Sequence, residues 1–209
     1  MSIETERHRK YELKARAEGQ ERTRQEIAKA AARLHEEVGP AETTVAEIAR
    51  RAGVSRLTVY KHFPDNASLY PACSAHYISE HPLPDFASAL SREDPVGRVR
   101  SLLRMVYGDW YREWRPMIRN LQRGRGSDPA LDEFMRENSD AALARLADAL
   151  TAGFGLEGER ADRLRGLIRV ALDFWTWDRL ESEELADADK ADLMTDAIAA
   201  LASERATAR

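Results

Sequence analysis

The sequence predicts an all-α protein in which a small N-terminal three-helix unit precedes a larger helical domain. Three observations carry that prediction. Glycine and proline are sparse, 11 and 8 in 209 residues, while the strong helix formers Ala, Leu, Arg and Glu are abundant. Apolar residues recur every three to four positions along most of the chain, the period of a helix that buries one face. Between Thr43 and Phe63, two short helix signatures abut around a single glycine, each with its own cap. The reading divides the chain into a flexible charged arm (1–20), a helix-turn-helix unit (21–65) and the larger domain (66–209), with ample length for a core.

Residues 1–20 interleave Arg7, Arg9, Lys10, Lys14 and Arg16 with Glu4, Glu6, Glu12 and Glu18 and show no apolar period, which predicts a mobile arm. Such an arm can reach a DNA minor groove, although near-cancelling charges favour a solvated tail. From Glu21 to Val38, Ile27, Ala31, Leu34 and Val38 share one face, and Gly39-Pro40 ends the helix. Arg22 and Arg24 at its start stand where a phosphate can be met. Thr44 followed by Glu47 reads as a capping box that starts a helix at Val45. Val45, Ile48, Ala49 and Ala52 form its inner face, and Gly53 stops it where a positive φ is needed.

Ser55 caps a second short helix, Arg56 to about His62. Val59 and Phe63 turn inward, which leaves Arg56, Leu57, Thr58, Tyr60, Lys61 and His62 on the other faces. Two helices joined this way make a helix-turn-helix, whose second helix enters the major groove of DNA. A hairpin that merely packs has no use for so many polar and aromatic groups on one seven-residue helix.

The run Gly53-Val54-Ser55-Arg56-Leu57-Thr58-Val59-Tyr60-Lys61-His62-Phe63 resembles the recognition segment of the TetR family of bacterial transcriptional regulators. The resemblance extends over Glu21 to about Tyr70. It implies a homodimer that binds a near-palindromic operator in double-stranded DNA and is released by a small effector. On that basis Arg56, Thr58 and Lys61 are expected at or near base edges, and Thr44, Tyr60 and His62 at phosphates. Leu57 is expected at a thymine methyl, with Ser55 beside them. Many family members carry Lys or Arg at the position of Asn66, which keeps a donor for the phosphate without the charge.

Asp65 or Asn66 caps a fourth helix to about Ser79, with Pro71 expected to bend it, and His81-Pro82-Leu83-Pro84 marks a boundary. Asp94-Pro95 and Asp128-Pro129 each place a capping carboxylate before a proline suited to the first helical position. The first opens a helix with Val96, Val99, Leu103, Val106 and Trp110 on one stripe, ended or kinked at Pro116. Arg123-Gly124-Arg125-Gly126 reads as a loop. The second opens a run from Leu131 through Leu150 to Gly153. One helix is predicted from Glu159 to Glu181, with two apolar stripes. The second stripe, Leu167, Val170, Phe174 and Trp177, calls for another subunit. A last helix, Asp189 to Ser203, carries Leu193, Met194, Ala197, Ile198 and Leu201. In proteins resembling this one, the last long helices of two subunits form a four-helix bundle.

Tyr107, Trp110, Tyr111, Trp114 and Phe134 are the candidate pocket residues. Read by themselves such rings are more often plain core. The resemblance turns them toward a small apolar or aromatic effector held between the Pro95–Trp114 and Pro129–Gly153 helices.

Several classes are set aside. No apolar run approaches a membrane span, and the charged N-terminus is unlike a signal peptide, so a cytoplasmic protein with no membrane partner is expected. Cys73 is the single cysteine and reads as a buried, inert thiol. No histidine stands at metal-ligand spacing, and no phosphate loop or nucleophile elbow occurs, so no metal, cofactor or catalysis is expected. Residues 1–64 carry 13 Lys/Arg against 10 Asp/Glu and the remainder 19 against 26, as suits one DNA-facing end. Two other readings stand beside this one: a helical enzyme with a degenerate helix-turn-helix, and a helical partner-binding dimer.

Overall fold

A computed structural model describes residues 2–204, and among these every regular element is helical. In chain order the α-helices are α1 (Ser2–Glu37), α2 (Val45–Arg51), α3 (Arg56–His62), α4 (Asn66–Glu80), α5 (Phe86–Leu90) and α6 (Pro95–Arg104), then α7 (Arg112–Gly124), α8 (Pro129–Met135), α9 (Ala141–Ala152), α10 (Gly158–Ala171), α11 (Phe174–Leu180) and α12 (Asp187–Ser203). Wider π-helical turns, Met105–Tyr111 and Arg136–Asp140, join α6 to α7 and α8 to α9. None of the described helices is long and apolar enough to cross a membrane.

The chain forms two compact units. The first comprises Met1–Pro82 together with Arg119–Phe134, and the second Leu83–Ile118 with Met135–Arg209. The first break coincides with the proline-rich stretch at Pro82, seventeen residues beyond the end of the predicted helix-turn-helix unit.

In the first unit, α1 packs on α2 and α4, and α2 on α3. Its core holds Ile27, Ala31, Leu34, Ile48, Ala49, Val59, Phe63, Leu69, Tyr70 and Leu131. Val38, read onto the inner face of α1, lies exposed just past the helix end. The charged stretch at the start of the chain is helical and continuous with α1 rather than irregular. Its composition favours that outcome: strong helix formers are dense and the chain's first proline comes only at Pro40. Lys14 and Glu18 pair one turn apart at 3.8 Å.

Segment 119–134 closes this unit chemically. Asn120 Nδ2 donates to the carbonyls of His35 and Glu36 at 3.1 and 2.7 Å, satisfying acceptors at the end of α1. Asp128 Oδ1 caps α8 by accepting from the N–H groups of Ala130 and Leu131, as the Asp-Pro signature predicts. Its Oδ2 accepts from Asn66 Nδ2 at 2.8 Å and Tyr70 Oη at 2.6 Å. Burial opposes the charge on Asp128, but these donors outweigh it and hold the carboxyl below its usual range. Asn66 is thereby spent within the protein. Asp65 caps α4 in a reciprocal box with Ser68, and the helix runs unbroken through Pro71.

In the second unit, α6 packs on α5 and α12, and α10 on α9 and α12. Its core is built from Val99, Leu102, Leu103, Val106, Leu150, Leu164, Ile168 and Ile198. Helix α7 continues through Pro116 to Gly124, so neither the proline nor the start of the expected loop ends it. The predicted helix Glu159–Glu181 is two helices, because three side chains cut it. Tyr107 Oη donates to the Ala171 carbonyl at 2.6 Å and Tyr111 Oη to the Leu172 carbonyl, taking acceptors at the end of α10. Asp173 accepts from the N–H groups of Trp175 and Thr176 at 2.9 and 3.2 Å and starts α11.

Candidate nucleic-acid interface

The turn between α2 and α3 follows from local chemistry. The Thr44 hydroxyl accepts from the Glu47 N–H at 3.2 Å and opens α2. The reciprocal half of the expected box is absent, because the Glu47 carboxylate turns to Arg50 at 2.6 Å and Arg51 at 3.1 Å. Hydrogen bonds from these guanidiniums hold its pKa down at about 2. Arg51 also reaches Glu37 of α1, so α2 is tied to α1 by charge as well as by Ile48 and Ala49. Gly53 adopts φ +66°, with open space where a Cβ would stand, so backbone conformation alone demands glycine there.

Ser55 Oγ accepts from the Thr58 N–H at 3.1 Å, capping α3, and also meets Thr58 Oγ1 at 2.9 Å. Val59 and the following Phe63 are buried, which fixes how α3 is rotated. The outer face is left to Arg56, Leu57, Tyr60 and Lys61. Leu57 is 79% exposed and Tyr60 52% exposed. An apolar side chain so exposed on a packed helix gains nothing from the fold. Thr58 and His62 are half-buried at its margins, and Thr44 is exposed at the start of α2. Seven of the eight residues expected at DNA thus lie on α3 and its N-cap Ser55, and the eighth, Thr44, lies at the N-cap of α2.

Arg24 is placed otherwise than expected. Its Nη1 donates to the His62 carbonyl at 3.0 Å, and its guanidinium carbon lies 4.2 Å from the centre of the Phe63 ring. No spacing in the sequence links positions 24 and 62.

The expected pocket residues separate. Tyr107, Trp110, Tyr111 and Trp114 cluster in the second unit, with Trp110 5.1 Å from Tyr111, 6.1 Å from Trp114 and 5.6 Å from Phe86 between ring centres. Phe134 belongs to the first unit and stacks on Tyr70 at 6.0 Å. Tyr107 and Tyr111 are fully buried, and their hydroxyls are spent on backbone carbonyls. Desolvation is the main reason their pKa values rise. The indole N–H of Trp110 is buried without a hydrogen-bond partner among the described residues. Such a group costs on the order of 1–3 kcal/mol until an acceptor reaches it.

Of the expected dimer residues, Phe174 and Trp177 face the protomer's own core, with rings 5.5 and 5.8 Å from Tyr111. The break at Asp173 turns α11 away from the stripe of α10. Leu167 stays half-buried and Val170 is 52% exposed on α10; Leu193 and Ala197 are exposed on α12. Trp177 also borders an unforeseen ion network. Lys190, 1% exposed, pairs with Glu181 and with Asp187 at 3.0 Å, and Arg112 and Arg115 complete it through Asp187 and Asp178.

Comparison with known proteins agrees with this geometry. Residues 27–73 match the model of the bacterial regulatory proteins of the tetR family. The HTH-type transcriptional regulator TtgR of Pseudomonas putida is 38% identical over 98 residues, 46% of either chain. An uncharacterized HTH-type regulator of Mycobacterium tuberculosis is 44% identical over 54 residues, 26% of this chain and 29% of its own. The chain therefore spans about half the length, or less, of these curated relatives. Among solved structures, a tetR-family transcriptional regulator from Streptomyces coelicolor aligns with a TM-score of 0.60 at 21% identity, covering 85% of this chain and 81% of that one. NalD of Pseudomonas aeruginosa, described as the secondary repressor of the MexAB-OprM multidrug efflux pump, aligns at 0.57 and 23% identity, covering 88% and 96%. With α2, the Gly53 turn and the outward face of α3 inside the matched segment, residues 27–73 are similar to the bacterial regulatory proteins of the tetR family, and the chain shares the fold of such regulators along most of its length.

Proposed function

We propose that this protein is a homodimeric DNA-binding transcriptional regulator, a repressor that a small effector releases from a near-palindromic operator. The observation that carries the reading is the division of α3. Val59 and the adjoining Phe63 are given to the core, while Arg56, Leu57, Tyr60 and Lys61 are left outward on a helix capped at both ends. A cationic and aromatic outer face on a helix of this diameter suits the major groove, where Arg and Lys read guanine edges and an apolar tip meets a thymine methyl. A single helix-turn-helix covers a half-site, so two copies are needed for a palindrome. Leu167 and Val170 of α10, with Leu193 and Ala197 of α12, supply apolar surface for pairing the long helices. That assignment replaces Phe174 and Trp177, which the protomer buries itself.

The effector reading rests on Trp110. An apolar ring cluster with one unsatisfied N–H suits a flat, largely apolar ligand that carries a hydrogen-bond acceptor. The ligand shifts DNA affinity only through a difference in its own affinity for the bound and free conformers. Footprinting on duplex DNA flanking the protein's own gene tests the main reading. A protected near-palindrome with half-sites about 34–36 Å apart, or a multiple, is expected. Unchanged affinity after combined Arg56→Ala, Tyr60→Ala and Lys61→Ala substitution would overturn it.

A further inference from the structure

Helix α3 has only seven residues, so its ends decide how firmly it is held. At its N-terminus Ser55 provides a cap. At its C-terminus the final carbonyls have no intrahelical donors and carry the negative end of the helix dipole. Arg24, thirteen residues before the end of α1, reaches this point with a donor on the His62 carbonyl, and its planar group lies over the Phe63 ring. Phe63 is buried, and its own N–H bonds back to the Val59 carbonyl at 2.8 Å. One guanidinium therefore ties the last residue of α3, and the residue that anchors it to the core, to the helix on which the unit is built.

We propose that Arg24 is a positioning residue for DNA recognition: it fixes the pitch and rotation of α3 from behind, rather than neutralising a phosphate. The inference rests on the DNA-binding reading above. A planar fork is what the geometry uses, since one face stacks while one edge donates; an ammonium offers a point charge instead. Loss of Arg24 lets the C-terminal turn of α3 fray, which scatters Tyr60 and Lys61 relative to base edges. Non-specific attraction to phosphates survives this, because it depends on charge and not on register.

The test compares wild type, Arg24→Lys and Arg24→Met on two duplexes, one selected by the wild-type protein from a random library and a scrambled version of it. Binding is measured across salt concentrations and well below each variant's melting temperature, with circular dichroism confirming the fold. Positioning predicts roughly tenfold weaker binding of the selected duplex for both variants, about 1.4 kcal/mol, with scrambled-duplex binding and the salt slope unchanged for Arg24→Lys. A phosphate contact predicts the contrary: Arg24→Lys binds like wild type, and Arg24→Met loses affinity equally on both duplexes with a slope smaller by about 0.9. That result overturns the proposal, as does full selected-duplex affinity in both variants. Phe63→Leu, which removes the ring but keeps an apolar anchor, should show the same selective loss; retention of selectivity there also overturns it. Failure of wild type to select any duplex refutes the DNA-binding reading instead, so the two failures are distinct.

Discussion

Single residues in this chain divide into those whose neighbours are local and those whose partners arrive from far along the sequence. Ser55 is of the first kind, and its role was legible because a cap needs only the next three residues. Ser55→Ala is expected to cost about 1 kcal/mol, measurable as a lower urea midpoint. Lys61 is also local, an exposed cation on α3. Lys61→Ala should weaken binding to all duplexes and reduce the salt slope by about 0.9 if it meets a phosphate. His35 is of the second kind. It is 3% exposed, and Cys73 Sγ lies 3.6 Å from its Nδ1. Burial lowers its pKa to about 4, partly opposed by the Asp128 carboxylate, and burial raises the Cys73 thiol to about 12. The unfolded chain therefore binds a proton at His35 more readily than the folded one. Stability should fall as pH drops from about 6.5 toward 4, by roughly 3 kcal/mol from this group. Denaturation midpoints across that window should show the fall in wild type and a flatter profile in His35→Leu.

Helices with caps and stop signals in the adjacent sequence, such as α2 and α3, could be placed from that sequence. The interruption between α10 and α11 could not. Asp173 has the identity of an ordinary solvent-facing residue, and only Tyr107 and Tyr111, more than sixty positions earlier, make it a helix start. Two apolar stripes were visible, yet the turn at Asp173 redirects the second one inward. Phe134 was misplaced for a similar reason, since its ring partner Tyr70 is 64 positions away and in the first unit. Tyr111→Phe leaves the Leu172 carbonyl without its donor while preserving the ring packing. A loss of about 1–3 kcal/mol is expected by denaturant unfolding, with helical content nearly unchanged.

For the molecule as a whole, the proposed homodimer would use the apolar side chains left outside on α10 and α12. Leu167→Glu with Val170→Glu places two charges there without touching the buried Phe174 and Trp177. Light scattering should then show monomers. Operator affinity should drop by far more than scrambled-duplex affinity, because the second half-site is no longer held at high effective concentration. A double variant that stays dimeric moves the interface elsewhere.

Asn120 and Asp128 impose a limit on how this protein can be taken apart. The helix-turn-helix lies within the first 82 residues, but the acceptors at the end of α1 and the donors of Asn66 and Tyr70 are satisfied by side chains from 119–134. A fragment ending at Pro82 would carry the reading head and lose its closure, together with the buried Leu131. The reading head is therefore not a cassette. A chimera that grafts it onto a different helical domain must bring 119–134 along, or find an Asn and an Asp in the host at the same places.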